Sequence, residues 1–343
     1  MKAAVFLGDK QVALTDVEEP RPGPGEVVVQ VCSSGMCGSD LKYYRGPGND
    51  TYASGTITAG HEPAGVVHAV GPGVPDSAAV VGDRVMVHHY IGCGSCAQCR
   101  SGWTQMCTRQ PVVVLGMNGN GSHAPYLTVP AATLVKLDDR LSFDAGAAIG
   151  CGTGTAWGGL RRLGDLGGAT VAIFGQGPVG LSGTMLAVAL GARVIAVDMA
   201  PSRLAQARAL GATAVVDPCQ DDPVAAIRDL TGGRGAHAVL ESSGSSAAAS
   251  AGLRALGPWG RFCVVGLGGE VRFDVLEFHR SQMTAMTSWS MSLVGQEECA
   301  AFVAENAVPV DDLFTHRWSL DEVVEAYELF DRQDAGKGVI QFT

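Results

Sequence analysis

The sequence predicts an α/β protein in two parts, a β-rich domain followed by a doubly wound parallel sheet. Residues 1–152 hold short β-branched or alternating runs ("KAAVFL", "EVVVQV", "AGVVHAV", "DRVMVHH", "YLTVP") set apart by Gly and Pro clusters such as "RPGPGE" and "GPGVP". Over residues 153–288, apolar strands instead alternate with alanine-rich helical stretches, the pattern of parallel strands joined by crossover helices. At the first strand–helix junction lies "VAIFGQGPVG", a G-x-G-x-x-G in the context that gives this motif meaning.

Taken in order, "TVAIF" precedes the helix of "PVGLSGTMLAVALG", and "RVIAVD" precedes "PSRLAQARALG". Pro201 sits near that second helix's start and Gly211 just past its end. "AVV" then precedes "DPVAAIRDLTG", "AHAVLESSG" precedes "SAAASAGLRALG", and "RFCVVGL" follows. In residues 289–343, "SLDEVVEAYELFDRQ" opens with Ser319 and carries Glu322 three residues on, a capping box. "GKGVIQF" reads as a glycine stop and a strand, and this tail is expected to return to the first domain. The Met-rich stretch "QMTAMTSWSMSLV" suits either an interface between copies or the core.

With 343 residues, 46% of them hydrophobic, the chain can bury large cores, which excludes disorder. The net charge of −10 and the lack of a basic run argue against nucleic acid. The start, "MKAAVFLGDKQVALTD", has no signal-peptide pattern. Residues 169–198 are apolar, but glycines and a proline interrupt them, so strand–turn–helix–strand is expected rather than a membrane span. A cytoplasmic protein without a membrane partner is the expectation.

In the glycine motif, Gly175 would permit the tight turn, Gly177 the approach of a pyrophosphate, and Gly180 close helix–strand packing, with Pro178 and Val179 opening the helix. Free N–H groups at the helix start would hold the phosphates. Asp198 ends the next strand, where a carboxylate accepts from a ribose 2′-hydroxyl and repels a 2′-phosphate, favouring NAD over NADP. Arg203 suits either a phosphate or a ribose hydroxyl. The bland alternative is a glycine-rich turn with no ligand.

Of the ten cysteines, Cys93, Cys96, Cys99 and Cys107 form a C-x2-C-x2-C-x7-C array. Four thiolates in one loop match a closed tetrahedral zinc site of structural role, with an iron–sulfur cluster as the alternative. Cys37 and Cys151 lie in glycine-rich turns, where a thiolate can face a cleft, whereas Cys32, Cys219, Cys263 and Cys299 read as packing residues.

In order and spacing, "GMCGSD", "GHEPAGVV", the four-cysteine loop, "IGCGTGT" and "GQGPVG" resemble the zinc-dependent medium-chain alcohol dehydrogenase family, within the medium-chain dehydrogenase/reductase superfamily. The likeness covers nearly the whole chain. It implies a GroES-like catalytic domain (1–152 and 289–343) carrying two zinc sites, and a Rossmann domain (153–288) binding NAD. By the family match, Cys37, His61 and Cys151 would hold a catalytic zinc with a fourth position open. Glu62 would lie behind the metal or bind it transiently, and Asp40 would orient His61. Ser39 matches a hydroxyl that hydrogen-bonds the substrate oxygen. Thr155 matches a position beside the nicotinamide, and Val265, Gly266 and Leu267 match the strand end that binds its carboxamide. His89 and Tyr90 are expected to line the substrate pocket, with a hydrogen-bonded wall as the plainer role for His89.

Lys42 stands where many relatives carry a relay histidine, and a surface or phosphate-facing lysine is the expectation there. The resemblance implies an NAD-dependent oxidoreductase of secondary alcohols or ketones, cyclic or polyhydroxylated substrates included. "CGSDLKYY" leans to the polyol branch and "IGCGTGT" to simple alcohols, so the signals conflict. The competing readings are a zinc-free quinone or enoyl reductase and a zinc-stabilised nucleotide-binding protein without turnover. A dimer or tetramer of the chain is also implied.

Overall fold

The computed structural model describes residues 1–47, 56–333 and 336–342. The chain forms two units: Met1–Cys151 with Ser292–Glu305 and Phe314–Thr343, and Gly152–Met291 with Asn306–Leu313.

The first unit opens with β1 (Lys2–Gly8), β2 (Gln11–Asp16), β3 (Glu26–Gly35) and the short helix α1 (Asp40–Arg45). Next come β4 (Glu62–Val70), β5 (Arg84–Val87), β6 (Tyr90–Ile91), α2 (Ala97–Arg100), β7 (Val113–Val114), β8 (Tyr126–Pro130), β9 (Leu134–Lys136) and α3 (Phe143–Ile149). The second unit runs α4 (Gly152–Leu163), β10 (Thr170–Phe174), α5 (Pro178–Ala189), β11 (Arg193–Val197), α6 (Pro201–Ala209), β12 (Ala214–Val216) and α7 (Pro223–Leu230). It continues through β13 (Ala236–Glu241), α8 (Ser246–Ala255), β14 (Leu256–Val264), α9 (Val275–Phe278) and β15 (Thr284–Thr287). The chain then returns to the first unit with α10 (Leu293–Glu305), β16 (Phe314–Ser319), α11 (Val323–Asp331) and β17 (Lys337–Gln341).

In the first unit, β3 is the hub. It pairs antiparallel with β4 along its length, with β8 over Glu26–Gln30, and with β17 over Ser33–Gly35. Val27, Val29 and Val31 send alternate side chains into one core with Val67, Val85 and Leu127, as a period of two requires. A second core gathers aromatic rings: Phe6 meets the Tyr327 ring edge-on at 4.9 Å, with Tyr44 and Phe330 against the same ring. The "GKGVIQF" tail is the strand that closes onto β3. Its neighbour α11 follows the expected capping box, in which Glu322 Oε2 accepts from the backbone N and Oγ of Ser319 at 2.8 Å.

In the second unit, six parallel strands run in the order β12-β11-β10-β13-β14-β15. That is the doubly wound order of dinucleotide-binding sheets. All five residues of β10 are buried, as expected of a central parallel strand covered on both faces. Pro201 opens α6, and Gly211, at φ +98°, takes the left-handed conformation after its end.

The units depart from the sequence boundaries at Gly152 and in two further places. Residues 306–313, expected with the tail in the first domain, group with the second unit, as do 289–291. Val310 and Leu313 are buried there, and Gln206 on α6 donates to the Asp312 carbonyl at 3.0 Å. Among the described residues, no helix is long and apolar enough to cross a membrane.

Candidate functional site

Three turns of the first unit bring one set of side chains together. Cys37 follows the end of β3, His61 immediately precedes β4 and Glu62 opens it, and Cys151 follows α3. One ligand atom from each of Cys37, His61, Glu62 and Cys151 lies within 4.8 Å of the others. The Cys37 and Cys151 sulfurs are 3.8 Å apart. Two sulfurs each ~2.3 Å from one ion at the tetrahedral angle stand about 3.8 Å apart, so the pair is spaced for a shared zinc. Glu62 Oε1 is buried without a hydrogen-bond partner, a second mark of a place built for a cation.

The partners of this set are buried as well. His61 Nδ1 lies 2.9 Å from Asp40 Oδ1, which turns Nε2 toward the sulfurs. Asp40 is itself held by the Cys37 backbone N–H at 2.9 Å. Ser39 Oγ is 3.3 Å from Cys37 Sγ and 3.4 Å from His61 Nε2. Ser39 precedes α1 but its side chain does not cap the helix, so the cap role that its position suggests is not the one it takes. Lys42 is exposed on α1, with Nζ 5.8 Å from the Tyr43 ring centre.

The charges of the set depend on one another. Cys37, hydrogen-bonded to Cys151 and facing His61, sits well below the usual thiol range, and the same contact with Cys37 drives Cys151 well above it. Burial alone would lower His61, but the charges of Asp40 and Cys37 carry it well above an ordinary imidazole. Burial lifts Glu62 to about 7 against the pull of Lys337. A divalent cation would ionise both thiols and leave the imidazole neutral.

Lys337 is one residue that sequence reasoning missed. It is 2% exposed, its Nζ is 2.5 Å from Glu62 Oε2, and it donates to the Met36 carbonyl at 3.2 Å. The pairing follows from β17 lying beside β3, whose end leads into Met36 and Cys37. His89 is buried, its ring centre 5.1 Å from that of His61 and 4.0 Å from that of Tyr90. Its Nδ1 lies 3.1 Å from the Gly150 carbonyl, and burial holds it well below the ordinary imidazole range, as a neutral, hydrogen-bonded ring.

The four-cysteine loop forms the second cluster: Cys93, Cys96, Cys99 and Cys107 sulfurs lie within 4.8 Å of one another. Donation from Ser95 draws Cys93 down to about 7, and the Cys99 N–H draws Cys96 down to about 5. Burial pushes Cys99 up to about 12. With Cys99 held protonated, the loop alone does not present four thiolates, and a zinc ion would supply the charge that ionises it.

In the second unit, Gly175 has φ +85° and turns the chain from β10 into α5. A Cβ on Gly180 would stand 1.8 Å from the Gly175 carbonyl oxygen, whereas one on Gly177 would meet nothing within 4 Å. Gly177 is the N-cap of α5 without a side-chain acceptor, and Pro178 and Val179 are its first residues, so free N–H groups face the open side. Beside this turn lies a cavity of about 620 Å³ whose lining includes Gly175, Asp198, Arg203 and Ser243. Asp198 Oδ2 takes the Gln176 N–H at 2.5 Å and Oδ1 takes that of Ala200 at 2.8 Å. A carboxylate has about four acceptor sites, which leaves room for a ribose hydroxyl.

Ser243 and Ser245 also line this cavity, and no sequence motif marked them. Ser243 N donates to the buried Glu241 carboxylate at 2.8 Å. Thr155 lies on α4, half-buried and outside the cavity lining; after β14, Val265 and Gly266 are half-buried and Leu267 is exposed, and these three lie outside that lining as well. The N–H groups of Val265 and Gly266 are already given to the Glu241 carbonyl, at 2.8 and 3.0 Å. What these two offer a carboxamide is therefore their carbonyls.

Comparison with known proteins agrees with this chemistry. Residues 23–139 match the alcohol dehydrogenase GroES-like domain, and residues 178–307 match the zinc-binding dehydrogenase family. The chain is 38% identical to the uncharacterized zinc-type alcohol dehydrogenase-like protein YphC of Escherichia coli over 355 aligned positions, covering 100% of this chain and 99% of that protein. It is 32% identical to the L-threonine 3-dehydrogenase of Thermococcus kodakarensis, covering 95% and 93%. Among solved structures, the alcohol dehydrogenase TADH from Thermus sp. ATN1 superposes with a TM-score of 0.92 at 32% identity, covering 99% of each chain.

Proposed function

Since the chain belongs to the zinc-type medium-chain alcohol dehydrogenase family and is an NAD-dependent oxidoreductase of alcohols, we propose that Cys37, His61 and Cys151 hold its catalytic zinc and that its substrate is a secondary alcohol or the matching ketone. The observation that carries the assignment is the 3.8 Å sulfur pair with His61 and Glu62 in reach and Asp40 behind the imidazole. When bound, zinc supplies a Lewis acid for the alcohol or carbonyl oxygen, and NAD takes or returns the hydride.

The chain's own residues do the rest. Asp40 accepts the proton of His61 Nδ1 and so presents the Nε2 lone pair to the ligand set. Ser39 Oγ, within 3.4 Å of both Cys37 and His61 and only half-buried, is the hydroxyl placed to accept a hydrogen bond from a substrate alcohol and to hand its own proton to solvent as it takes the alcohol's. Lys337 neutralises Glu62 and holds it against the set. Exposed Lys42 serves no buried relay. The N–H groups at the start of α5 take the pyrophosphate, and Asp198 and Arg203 take the adenosine ribose. The carboxylate at that position selects NAD over NADP. Thr155 and the carbonyls of Val265–Leu267 serve the nicotinamide end.

A secondary hydroxyl is supported by similarity to an L-threonine 3-dehydrogenase, whose named position is a secondary alcohol. The test is a panel of primary alcohols, secondary alcohols, polyols and amino alcohols, read by NADH absorbance. Secondary substrates should lead in kcat/KM, and a preference for primary alcohols would overturn the substrate class. We also place a homo-oligomer contact at β15. It is the sheet's mostly exposed edge strand, it is flanked by Trp259 at 73% and Trp289 at 51% exposure, and an open apolar edge invites a second copy.

A further inference from the structure

A hydrogen-bonded chain leads from the metal-ligand set into the aromatic core of the first unit. His61 Nδ1 is 2.9 Å from Asp40 Oδ1, and the Tyr327 hydroxyl is 3.3 Å from Asp40 Oδ2. His123 Nε2 is 2.7 Å from the Tyr327 hydroxyl, Ser34 Oγ is 2.8 Å from His123 Nδ1, and Ser122 Oγ is 2.6 Å from Ser34 Oγ. None of these six residues is more than 1% exposed. They come from β3, α1, the start of β4, the turn before β8, and α11, so no local motif contains them.

We propose that Tyr327 and His123 are positioning residues for the catalytic metal, with every hydrogen of the chain pointing toward Asp40: Ser122 to Ser34, Ser34 to His123 Nδ1, His123 Nε2–H to Tyr327, and Tyr327 O–H to Asp40. This rests on the assignment of His61 as a ligand. A tyrosine has one hydroxyl proton and a neutral imidazole has one N–H, so only two orders satisfy every member. In the other order Tyr327 donates to His123, His123 Nδ1–H donates to Ser34, and Asp40 Oδ2 keeps only the Cys37 N–H at 2.9 Å. A buried carboxylate is the strongest acceptor in the chain and the costliest to leave short of donors, so it sets the direction. The tyrosine ring is locked against Phe6, Tyr44 and Phe330, so its hydroxyl is fixed by packing rather than by the hydrogen bond alone. Through it α11, 287 residues away in sequence, fixes the carboxylate that orients His61.

Two measurements test this. Long-range 1H–15N spectra of the imidazoles in the zinc-loaded protein should show His123 with its proton on Nε2 and a bare Nδ1. A proton on Nδ1 would overturn the proposal. Zinc competition with a chromophoric chelator should then show that Tyr327→Phe weakens zinc at the Cys37–His61–Cys151 set on the order of tenfold or more, as loss of an outer partner of a ligating histidine does. Zinc at the four-cysteine loop should be unmoved. His123→Gln, whose amide can still donate to Tyr327, should keep most of the affinity. Phe330→Leu, which trims the same aromatic cluster, should lower thermal stability without loosening the metal. Unchanged affinity in Tyr327→Phe, or equal loss in Phe330→Leu, would also overturn the proposal. A wild-type chain holding only the four-cysteine zinc would overturn the ligand assignment and this inference together. Two zincs in both wild type and variant with equal affinity would overturn this inference alone.

Discussion

Alanine at Gly177 and alanine at Gly180 should fail in different ways, although both glycines belong to one motif. A Cβ at Gly180 would stand 1.8 Å from the Gly175 carbonyl oxygen and 2.9 Å from Ser242 Oγ. Ordinary C–H···O contacts begin near 3.3 Å, so α5 has to retreat from β10 by roughly 1.5 Å. Overpacking of this kind costs about 1–3 kcal/mol of stability, and a shift of ~1 Å in a binding turn also reduces NAD affinity. At Gly177 the backbone (φ −70°, ψ −175°) is open to any residue, and no atom of the described residues lies within 4 Å of a new Cβ. Gly177→Ala should therefore keep its stability within about 1 kcal/mol. Its methyl group should nonetheless occupy the space of the pyrophosphate and weaken NAD at least ~10-fold, equivalent to about 1.4 kcal/mol. Urea denaturation without cofactor, paired with NAD titration by calorimetry, separates the two variants. Normal NAD affinity in Gly177→Ala would refute the placement of the pyrophosphate, and wild-type stability in Gly180→Ala would refute the packing argument.

Two further outcomes are expected. Lys337→Met removes the cation that favours the ionised Glu62, so the buried carboxyl takes up a proton and loses its hydrogen-bond partner, which should cost about 1–3 kcal/mol, most of it recovered in the Lys337→Met/Glu62→Gln double variant; urea denaturation of all three checks this, and a single variant as stable as wild type would contradict it. Burial lowers His123 from 6.5 to about 4, so the unfolded chain binds this proton first. The contribution of His123 is fully present above pH 6.5 and is lost as pH falls through that value toward 4, amounting to about 2 kcal/mol by pH 5. Wild type should thus lose more stability than His123→Gln between pH 7.5 and 5, and parallel profiles would contradict it.

What could be seen in the sequence was what is local in the chain. The four-cysteine loop, the glycine turn and the Ser319 capping box each bring their partners together within a few residues, so spacing alone reports geometry. Cys37, His61 and Cys151 are far apart, and only the order and spacing of whole motifs linked them. Lys337 was not legible because a lysine after a glycine stop reads as a surface charge. Its burial is decided by β17 pairing with β3 beside Glu62. Tyr327 has the spacing of a core aromatic on an amphipathic helix, which it also is, and nothing in "SLDEVVEAYELFDRQ" reveals that its hydroxyl meets Asp40. His123 in "GSHAPY" carries no motif at all. Residues 306–313 group with the other unit from the one the sequence suggested, because the apolar anchors Val310 and Leu313 look the same in either core.

The most direct test of the account is zinc stoichiometry with X-ray absorption on wild type and Cys151→Ala. Wild type should hold two zincs per chain, one with four sulfur ligands and one with two sulfurs and lighter atoms. The variant should keep its fold and one zinc in an all-sulfur shell, without alcohol oxidation. Two zincs or undiminished turnover in the Cys151→Ala protein would contradict the account.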